Sequence, residues 1–306
     1  ADVQHYGIGF KELWEIDPSQ HEEGLVLHGS GWPLTNGLSG GCFMYHLKDN
    51  MVTLGLIIDL NYANPHVSPF NEFQKMKHHP EFAKVLEGGK RLGYGARALS
   101  KGGWNSLGKM SFPGGLLVGC DAGTLNSAKI KGTHTAMKSG MVAAQTLFDH
   151  LSTDGAAGLT LSQFDTAFRS SWAGKELKKT RSFSPALHKF GAWLGGTYGY
   201  IEQILGGFVP TIRDNKADHT QMKKASECEK IDYPKPDGKL SFDKPSSVFL
   251  SNTYHEEGIF CHLTLKDTSV PIEVNLAEYD APEQRYCPAG VYEIVGEAEG
   301  KPALQI

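Results

Sequence analysis

The residues best placed to do chemistry begin with a glycine-rich run. Gly114-Gly-Leu-Leu-Val-Gly-Cys-Asp121-Ala-Gly123 is followed by Lys129-Ile-Lys-Gly132-Thr-His-Thr-Ala136. A short apolar strand ending in Gly119 and Asp121 would let a carboxylate reach a ribose or ribityl hydroxyl. A helix starting after Gly132, at Thr133, would aim backbone N–H groups at an anion. Read by itself, the pattern is more often that of an ordinary strand-to-helix turn, because glycine motifs are permissive. Gly37-Leu-Ser39-Gly-Gly41 satisfies the G-x-S-x-G spacing of a hydrolase nucleophile elbow. That elbow needs a strand before it and a helix after it. Here a Trp32-Pro33 loop precedes and a strand-like Cys42–Leu47 follows, so the context fails. Gly40 and Gly41 still offer bare backbone to a flat ligand.

Cys287-Pro288 is the third candidate. A cysteine before proline occurs at the ends of iron–sulfur ligand runs. One cysteine cannot hold a cubane, and taken alone Cys287 reads as a buried structural residue. The 13 histidines include His78-His79 but no HExxH and no Cys/His cluster, which disfavours zinc. The fourth candidate is the apolar segment Leu187–Leu205. It has about the length of a bilayer-spanning helix, yet Lys189 and Glu202 would be costly at the membrane centre. Phe190, Trp193, Tyr198 and Tyr200 follow the basic residues Lys175, Lys178, Lys179 and Arg181. These are the ingredients of a helix lying in the lipid interface, and equally of a buried core helix. Gly191, Gly195 and Gly199 recur every four residues, so another helix could approach closely.

The elements that would position these residues follow from periodicity. Ile8, Phe10, Trp14 and Ile16 alternate with Gly9, Lys11, Glu15 and Asp17, the period of a half-buried strand. With Leu25–His28, Cys42–Leu47 and Val52–Leu60 they predict a mixed or antiparallel sheet. Phe70–His79 and Pro80–Glu87 predict short helices, followed by the glycine-rich stretch Gly88–Gly103. Leu116–Gly119 predicts a short strand. Thr133–Leu151 predicts a helix with an apolar stripe of Met137, Met141, Ala144, Leu147 and Leu151, and with Ala136, Gly140 and Ala143 as small packing residues. Residues 161–182 predict one amphipathic helix presenting Phe164, Phe168 and Trp172. After Cys228 come strand-like runs at Ser247–Leu250, His262–Leu265 and Val291–Val295, as in a small satellite domain.

At 306 residues the chain has room for about two domains. A net charge of −4 gives no general reason to expect nucleic acid binding. Charge is nonetheless uneven: Lys175 to Lys189 is basic, whereas from His255 onward ten acidic residues face Lys266, Arg285 and Lys301. Five scattered cysteines, Cys42, Cys120, Cys228, Cys261 and Cys287, do not make a secreted disulfide framework and fit a reducing compartment. Residues 1–20 carry no signal-peptide pattern, and both termini read as edges of a longer fold.

Several long stretches together resemble the electron-transfer flavoprotein:ubiquinone oxidoreductases, across essentially the whole chain. They include Tyr6-Gly-Ile-Gly-Phe-Lys-Glu-Leu-Trp14, Lys77-His-His-Pro80, Leu86-Glu-Gly-Gly-Lys-Arg91, Tyr94-Gly-Ala-Arg97, Phe112-Pro-Gly-Gly-Leu116, Lys129–Gly140 and Pro282–Glu293. The resemblance implies an α+β or α/β architecture: part of an FAD-dependent oxidoreductase fold, a mixed-sheet quinone-binding domain and a partial ferredoxin-like [4Fe–4S] domain. The expected division is a quinone-binding sheet at 1–110, an FAD-domain return segment at 111–151, a helical membrane-surface segment at 152–225 and the start of the cluster domain at 226–306.

Carried over by position, Gly40 and Gly41 would meet the quinone head, and Gly119, Asp121, Gly132 and Thr133 the FAD. Cys287 would be the first cluster ligand and Tyr292 a tyrosine in the cluster environment. Phe190, Trp193 and Tyr198 would touch the membrane. The implied partners are electron-transfer flavoprotein, ubiquinone and a membrane surface, without nucleic acid. The implied location is peripheral, on the inner face of a bacterial cytoplasmic membrane or the matrix face of the mitochondrial inner membrane. The family's opening G-x-G-x-x-G and its later CxxCxxC run have no counterpart in this chain, so the expectation is a fragment inactive alone. A flavin-dependent reductase of isoprenoid or aromatic substrates, or a non-catalytic membrane-surface module, stand as the alternatives.

Overall fold

The computed structural model describes residues 1–35, 37–153, 159–206, 208–256, 258–259 and 264–306. Two compact units interleave along the sequence, one made of residues 1–7 and 98–220 and the other of 8–97 and 221–306.

The second unit is built on a five-stranded sheet of β1 (Tyr6–Glu15), β2 (Val26–Gly29), β3 (Gly40–His46), β4 (Met51–Asp59) and β5 (Lys90–Ser100), in the order β2-β3-β4-β1-β5. β2, β3 and β4 pair antiparallel, with Gly40 opposite Ile58 and His46 opposite Val52. Alternation along β1 turns Ile8, Phe10, Glu12 and Trp14 inward. β5 occupies most of the glycine-rich stretch Gly88–Gly103, to which the sequence assigned no strand. Its Gly93 and Gly95 dilute the two-residue hydrophobic period, and pairing in the sheet makes the strand.

Two short helices cover the inward face, α1 (Pro69–Met76), which starts one residue before its expected segment, and α2 (Pro80–Leu86), which lies within its own. Each opens on proline, whose missing N–H costs nothing in the first turn. Ser68 Oγ accepts from the Asn71 amide at 3.3 Å and His79 Nδ1 from the Glu81 amide at 3.2 Å, satisfying donors that the helix leaves open. Phe10 stacks on Phe73 at 5.9 Å, and Trp14, Met44, Leu54, Ile58, Met76 and Leu86 complete the buried centre. Burying each such side chain contributes about 1.5–3 kcal/mol.

The first unit contains α3 (Gly103–Ser106), the small hairpin of β6 (Ser111–Phe112) and β7 (Gly115–Leu116), and α4 (Thr133–Leu151). β7 stops at Leu116, and the backbone turns into a short 3₁₀ helix at Gly119–Ala122 where the strand was expected to end. α4 matches its expected bounds; its apolar stripe faces out, and the side that carries the small packing residue Ala143 turns inward. Met137, Met141, Leu147 and Leu151 are exposed, while Thr135, Ser139, Ala143 and Thr146 are buried. The inward face packs on the glycine loop before it, which admits only small side chains and requires hydrogen bonds. Ser139 Oγ accepts from the Gly119 amide at 2.8 Å, and Thr135 Oγ1 donates to the Thr124 carbonyl at 2.6 Å.

The segment expected as one amphipathic helix is two, α5 (Gln163–Ser170) and α6 (Trp172–Lys179), broken at the extended Ser171 that caps α6. Phe164 and Phe168 are buried as read, but Trp172 lies outside and stacks on His134 at 5.9 Å. The last long helix, α7 (Phe183–Leu205), is interrupted at Gly191, whose φ of 74° and ψ of −179° are non-helical. The two arms fold against each other. A Cβ on Gly195 would lie 2.4 Å from the Ala186 carbonyl oxygen, and one on Gly199 would lie 2.6 Å from the Phe183 ring. The close approach expected from the glycine spacing is therefore made within one helix.

In the C-terminal part of the second unit, α8 (Lys244–Phe249) replaces a predicted strand, because Asp243 caps its first turn by accepting from the Ser246 amide at 2.8 Å. A π-helical turn at Pro271–Leu276, α9 (Ala277–Tyr279) and α10 (Glu283–Tyr286) follow. β8 (Glu293–Val295) pairs antiparallel with β9 (Ala303–Gln305), within the strand expected at Val291–Val295. The expected run at His262–Leu265 falls partly, and Cys261 wholly, outside the described residues.

Candidate functional site

Gly40 opens β3 with a φ of 151°. A Cβ there would sit 2.0 Å from the Ile57 carbonyl oxygen, so the sheet itself requires glycine. Gly41 is more tolerant, its nearest neighbour to a built Cβ being the Gly29 carbonyl oxygen at 3.1 Å. Ser39 Oγ donates to Asp59 Oδ2 at 2.8 Å, and a strand follows it, so the nucleophile-elbow reading fails on structure as it did on context. What remains is a stretch of β3 backbone partly open to solvent, with Leu34 Cδ1 2.9 Å from where a Gly40 Cβ would sit.

The residues expected around a flavin are brought together in part. A Cβ on Gly119 would lie 3.5 Å from Ala136 Cβ, so the Gly119 turn meets the first turn of α4. Gly132 is the helix cap and supplies no side-chain bond, and Thr133 is exposed, leaving the leading amides of α4 open. Asp121 is exposed beside them in sequence. An uncapped N-terminus beside a glycine turn fits the anionic part of a dinucleotide. Glu176 fixes the approach to this helix from α6. Its Oε1 accepts from Asn126 Nδ2 at 2.8 Å and contacts His134 Nε2 at 2.7 Å, and its Oε2 accepts from Lys129 Nζ at 2.7 Å. Burial opposes charge on Glu176, but these partners win and hold its pKa down at about 2.

Cys287 ends α10 and is buried, with its Sγ accepting from the Val291 amide at 3.4 Å. Cysteine sulfur is the soft ligand that holds iron–sulfur clusters, so the residue fits one position of a cluster. The loop around it is held from two sides: Tyr94 donates to the Pro288 carbonyl at 3.0 Å, and Lys244 Nζ donates to the Cys287 carbonyl at 2.9 Å. Tyr292 is half-buried, and its electrostatic neighbour is Tyr286. The phenols that feel the Cys287 sulfur directly are Tyr94 and Tyr286. Burial, with Glu283 and these neighbours, pushes Tyr286 up to about 12, and burial likewise raises Tyr94. Tyr286 was legible only as the residue before the cysteine.

At the bend of α7, Phe190 is half-exposed, Trp193 is 90% exposed and Leu194 is 71% exposed. Tyr198 is half-buried and its hydroxyl donates to the Pro210 carbonyl, so its ring is less available than the sequence suggested. Arg181, read as part of the basic cluster, is instead half-buried and tied into the base of the hairpin. It donates to the Lys178 and Val209 carbonyls at 3.0 and 3.1 Å and lies 3.7 Å from Glu202. Lys175, Lys178, Lys179 and Lys189 remain exposed. Among the described residues no helix is long and apolar enough to cross a membrane.

Sequence reasoning missed a buried charge cluster in the second unit. Glu12 and Lys77 have fully buried side chains, with Lys77 Nζ donating to both carboxylate oxygens at 3.1 and 3.0 Å. Arg91 reaches Glu12 at 3.3 Å and Trp14 Nε1 donates to it at 2.8 Å. The rings of Trp14, Phe73 and Phe242 lie 5.6, 5.3 and 5.2 Å from Lys77 Nζ. Burial pulls Lys77 down to about 8 against the attraction of Glu12. The signal was the one acidic residue on the inward parity of β1.

The profile of the family described as "ETF-QO, ubiquinone-binding" matches residues 6–99, and that described as "Electron transfer flavoprotein-ubiquinone oxidoreductase, 4Fe-4S" matches residues 238–306. An electron transfer flavoprotein-ubiquinone oxidoreductase of Pseudomonas aeruginosa is 60% identical over 308 residues, covering 100% of this chain and 56% of that protein. The mitochondrial protein of the same name from Homo sapiens is 49% identical over 309 residues, covering 98% and 50%. Among solved structures, a geranylgeranyl bacteriochlorophyll reductase-like protein of Thermoplasma acidophilum is 15% identical, with a TM-score of 0.47 over 70% of this chain and 50% of that one, too loose a likeness to carry an activity across. The chain spans about half the length of the curated relatives it matches. On this identity, sustained from one end of the chain to the other, it belongs to the electron transfer flavoprotein-ubiquinone oxidoreductase family.

Proposed function

We propose that the protein carrying this chain passes electrons from reduced electron transfer flavoprotein to ubiquinone at a membrane surface, with FAD and one [4Fe–4S] cluster as its cofactors. The observation that carries the reading is the 60% identity, over the whole chain, to a relative whose name states the donor and the acceptor. Bound FAD and cluster supply the one- and two-electron chemistry that side chains do not perform.

The residues of this chain then bind, orient and exclude water. Cys287 supplies one thiolate to the cluster from a loop fixed by Tyr94 and Lys244. The open first turn of α4, beside Gly119 and Asp121, faces its N–H groups toward the flavin's anionic part, and Glu176 keeps that approach in place. Gly40 and Gly41, which carry no side chains of their own, give the quinone head bare backbone. The bend of α7 places Phe190 and Trp193 among acyl chains while Lys178, Lys179 and Lys189 stay near lipid phosphates. This is a peripheral attachment, on a bacterial cytoplasmic membrane or the mitochondrial inner membrane.

The test is quinone reduction by the full-length protein, driven by reduced electron transfer flavoprotein, with flavin and iron quantified on the same sample. Quinone-dependent turnover with both cofactors present is expected, and Cys287→Ala should remove the reduced-state paramagnetic signal while leaving FAD bound. A protein without flavin, or one that leaves quinone oxidised in the presence of the reduced donor, overturns the reading.

A further inference from the structure

The loop that carries Cys287 is fastened by a cation with no carboxylate partner among the described residues. Lys244 opens α8, and among the described residues its ammonium donates to two backbone carbonyls, Cys287 at 2.9 Å and Gln284 at 3.3 Å. Its stem runs under the same loop: a Cβ on Gly290, whose φ is 67°, would come within 3.2 Å of Lys244 Cδ. The Phe70 ring lies 5.9 Å from Nζ. Capping the last carbonyls of α10 would by itself be a routine use of lysine. The position is not routine, because one of the two carbonyls belongs to the ligand residue itself. In a partly desolvated setting a fixed positive charge is screened less than at the surface.

We propose that Lys244 sets the reduction potential of the redox group held through Cys287. This rests on the reading of Cys287 as a cluster ligand. Uptake of one electron from the reduced flavoprotein donor adds one negative charge beside Cys287, with no bond made or broken and no proton required. An ammonium anchored on the ligand's own carbonyl favours that added charge and so raises the potential, which draws electrons from the donor. Lys244 is thus a positioning residue that acts through Cys287 by charge.

The experiment is a redox titration of the cofactor-loaded protein, followed by the paramagnetic signal of the reduced cluster, on wild type, Lys244→Gln, Lys244→Arg and Tyr94→Phe. Lys244→Gln should keep its iron content and shift the reduction equilibrium on the order of tenfold toward the oxidised form, about 59 mV for a one-electron couple. Lys244→Arg should hold the wild-type value. Tyr94→Phe removes the other bond to the loop without changing charge, and should shift the equilibrium far less than Lys244→Gln. An unchanged potential in Lys244→Gln overturns the proposal, and so does an equal shift in Tyr94→Phe, which would assign the effect to loop geometry. If Lys244→Gln assembles no cluster, the Arg variant decides: the wild-type potential supports the role of charge, and a tenfold loss overturns it. A wild-type protein without the signal would instead remove the reading of Cys287 beneath.

Discussion

Two adjacent glycines in the second arm of α7 should respond to the same mutation with opposite signs. Gly195 faces the first arm, and a Cβ there would lie 2.4 Å from Ala186 O, 2.6 Å from Ala186 C and 2.7 Å from Leu187 Cα. All three are backbone atoms, so relief requires the arms to part by roughly an ångström, against an ordinary carbon–carbon separation of about 3.5–4.0 Å. Overpacking of this kind costs about 1–3 kcal/mol. Gly196 has nothing within 4 Å of the corresponding position. Both substitutions gain the same helix-propensity benefit of roughly 1 kcal/mol. Gly196→Ala should therefore stabilise by about that amount, and the difference between the two variants should be the overpacking cost alone. At about 2–4 °C per kcal/mol for a chain of this order, the melting temperatures should differ by several degrees. Scanning calorimetry of the two variants and wild type reads this directly. Melting temperatures that coincide, or a Gly195→Ala protein above Gly196→Ala, would mean that the arms are not packed as described.

Glu12→Gln leaves the Lys77 ammonium buried without its carboxylate and should cost about 3–5 kcal/mol by urea unfolding, with Lys77→Met added on top recovering much of the loss; a variant within error of wild type would refute the pairing. At His5, burial disfavours the imidazolium, but Asp218 at 2.7 Å, helped by Asp214, raises the pKa above its ordinary value. The stability this contributes is fully present below the unfolded-state pKa of about 6.5 and is lost as pH rises through the higher folded value. Asp218→Asn should lower the His5 titration seen by NMR, and its stability deficit should shrink as pH rises; a deficit independent of pH would exclude the coupling. Replacing Lys178, Lys179 and Lys189 together by Gln should weaken binding to anionic vesicles by roughly 1 kcal/mol per charge at low salt, the difference fading at high salt. Vesicle flotation that is the same for variant and wild type at low salt would remove the electrostatic part of the membrane contact.

How far the sequence could be read depended on whether side chains or partners decide each element. The alternation in β1 and the starts of α1 and α2 are set locally, and these elements were found with only their ends shifted. β5 was lost because Gly93 and Gly95 carry no hydrophobic signal, and neighbouring strands supply what the residues lack. α8 was misread although Asp243, Pro245 and Ser246 form a helix-start pattern, since Ser247-Val-Phe-Leu250 alone looks like a strand. α4 shows the converse failure. Its period was visible, but which face turned inward depended on a glycine turn that takes only Ser139 and Thr135. Of the site, Gly119 and the α4 N-terminus meet as their spacing suggested, whereas Lys244 and Tyr94 reach the Cys287 loop from 43 and 194 residues away. No spacing rule covers such separations.

The segment around Glu202 shows how a sequence argument can be sound while its object moves. Lys189 and Glu202 argued against a spanning helix because charge is costly in hydrocarbon. In the structure Glu202 faces no lipid: it is fully buried, its Oε2 accepts from the Ser182 amide at 2.9 Å, and Arg181 stands beside Oε1. The carboxylate joins the end of one arm to the beginning of the other, which leaves the apolar residues at the Gly191 bend facing outward. At 1.5 Å per residue the longer arm, 192–205, extends about 21 Å, short of a hydrocarbon core of about 30 Å. In the proposed membrane contact, depth is then set by where the chain bends and not by how apolar it is. Moving the bend would change depth even with composition held constant.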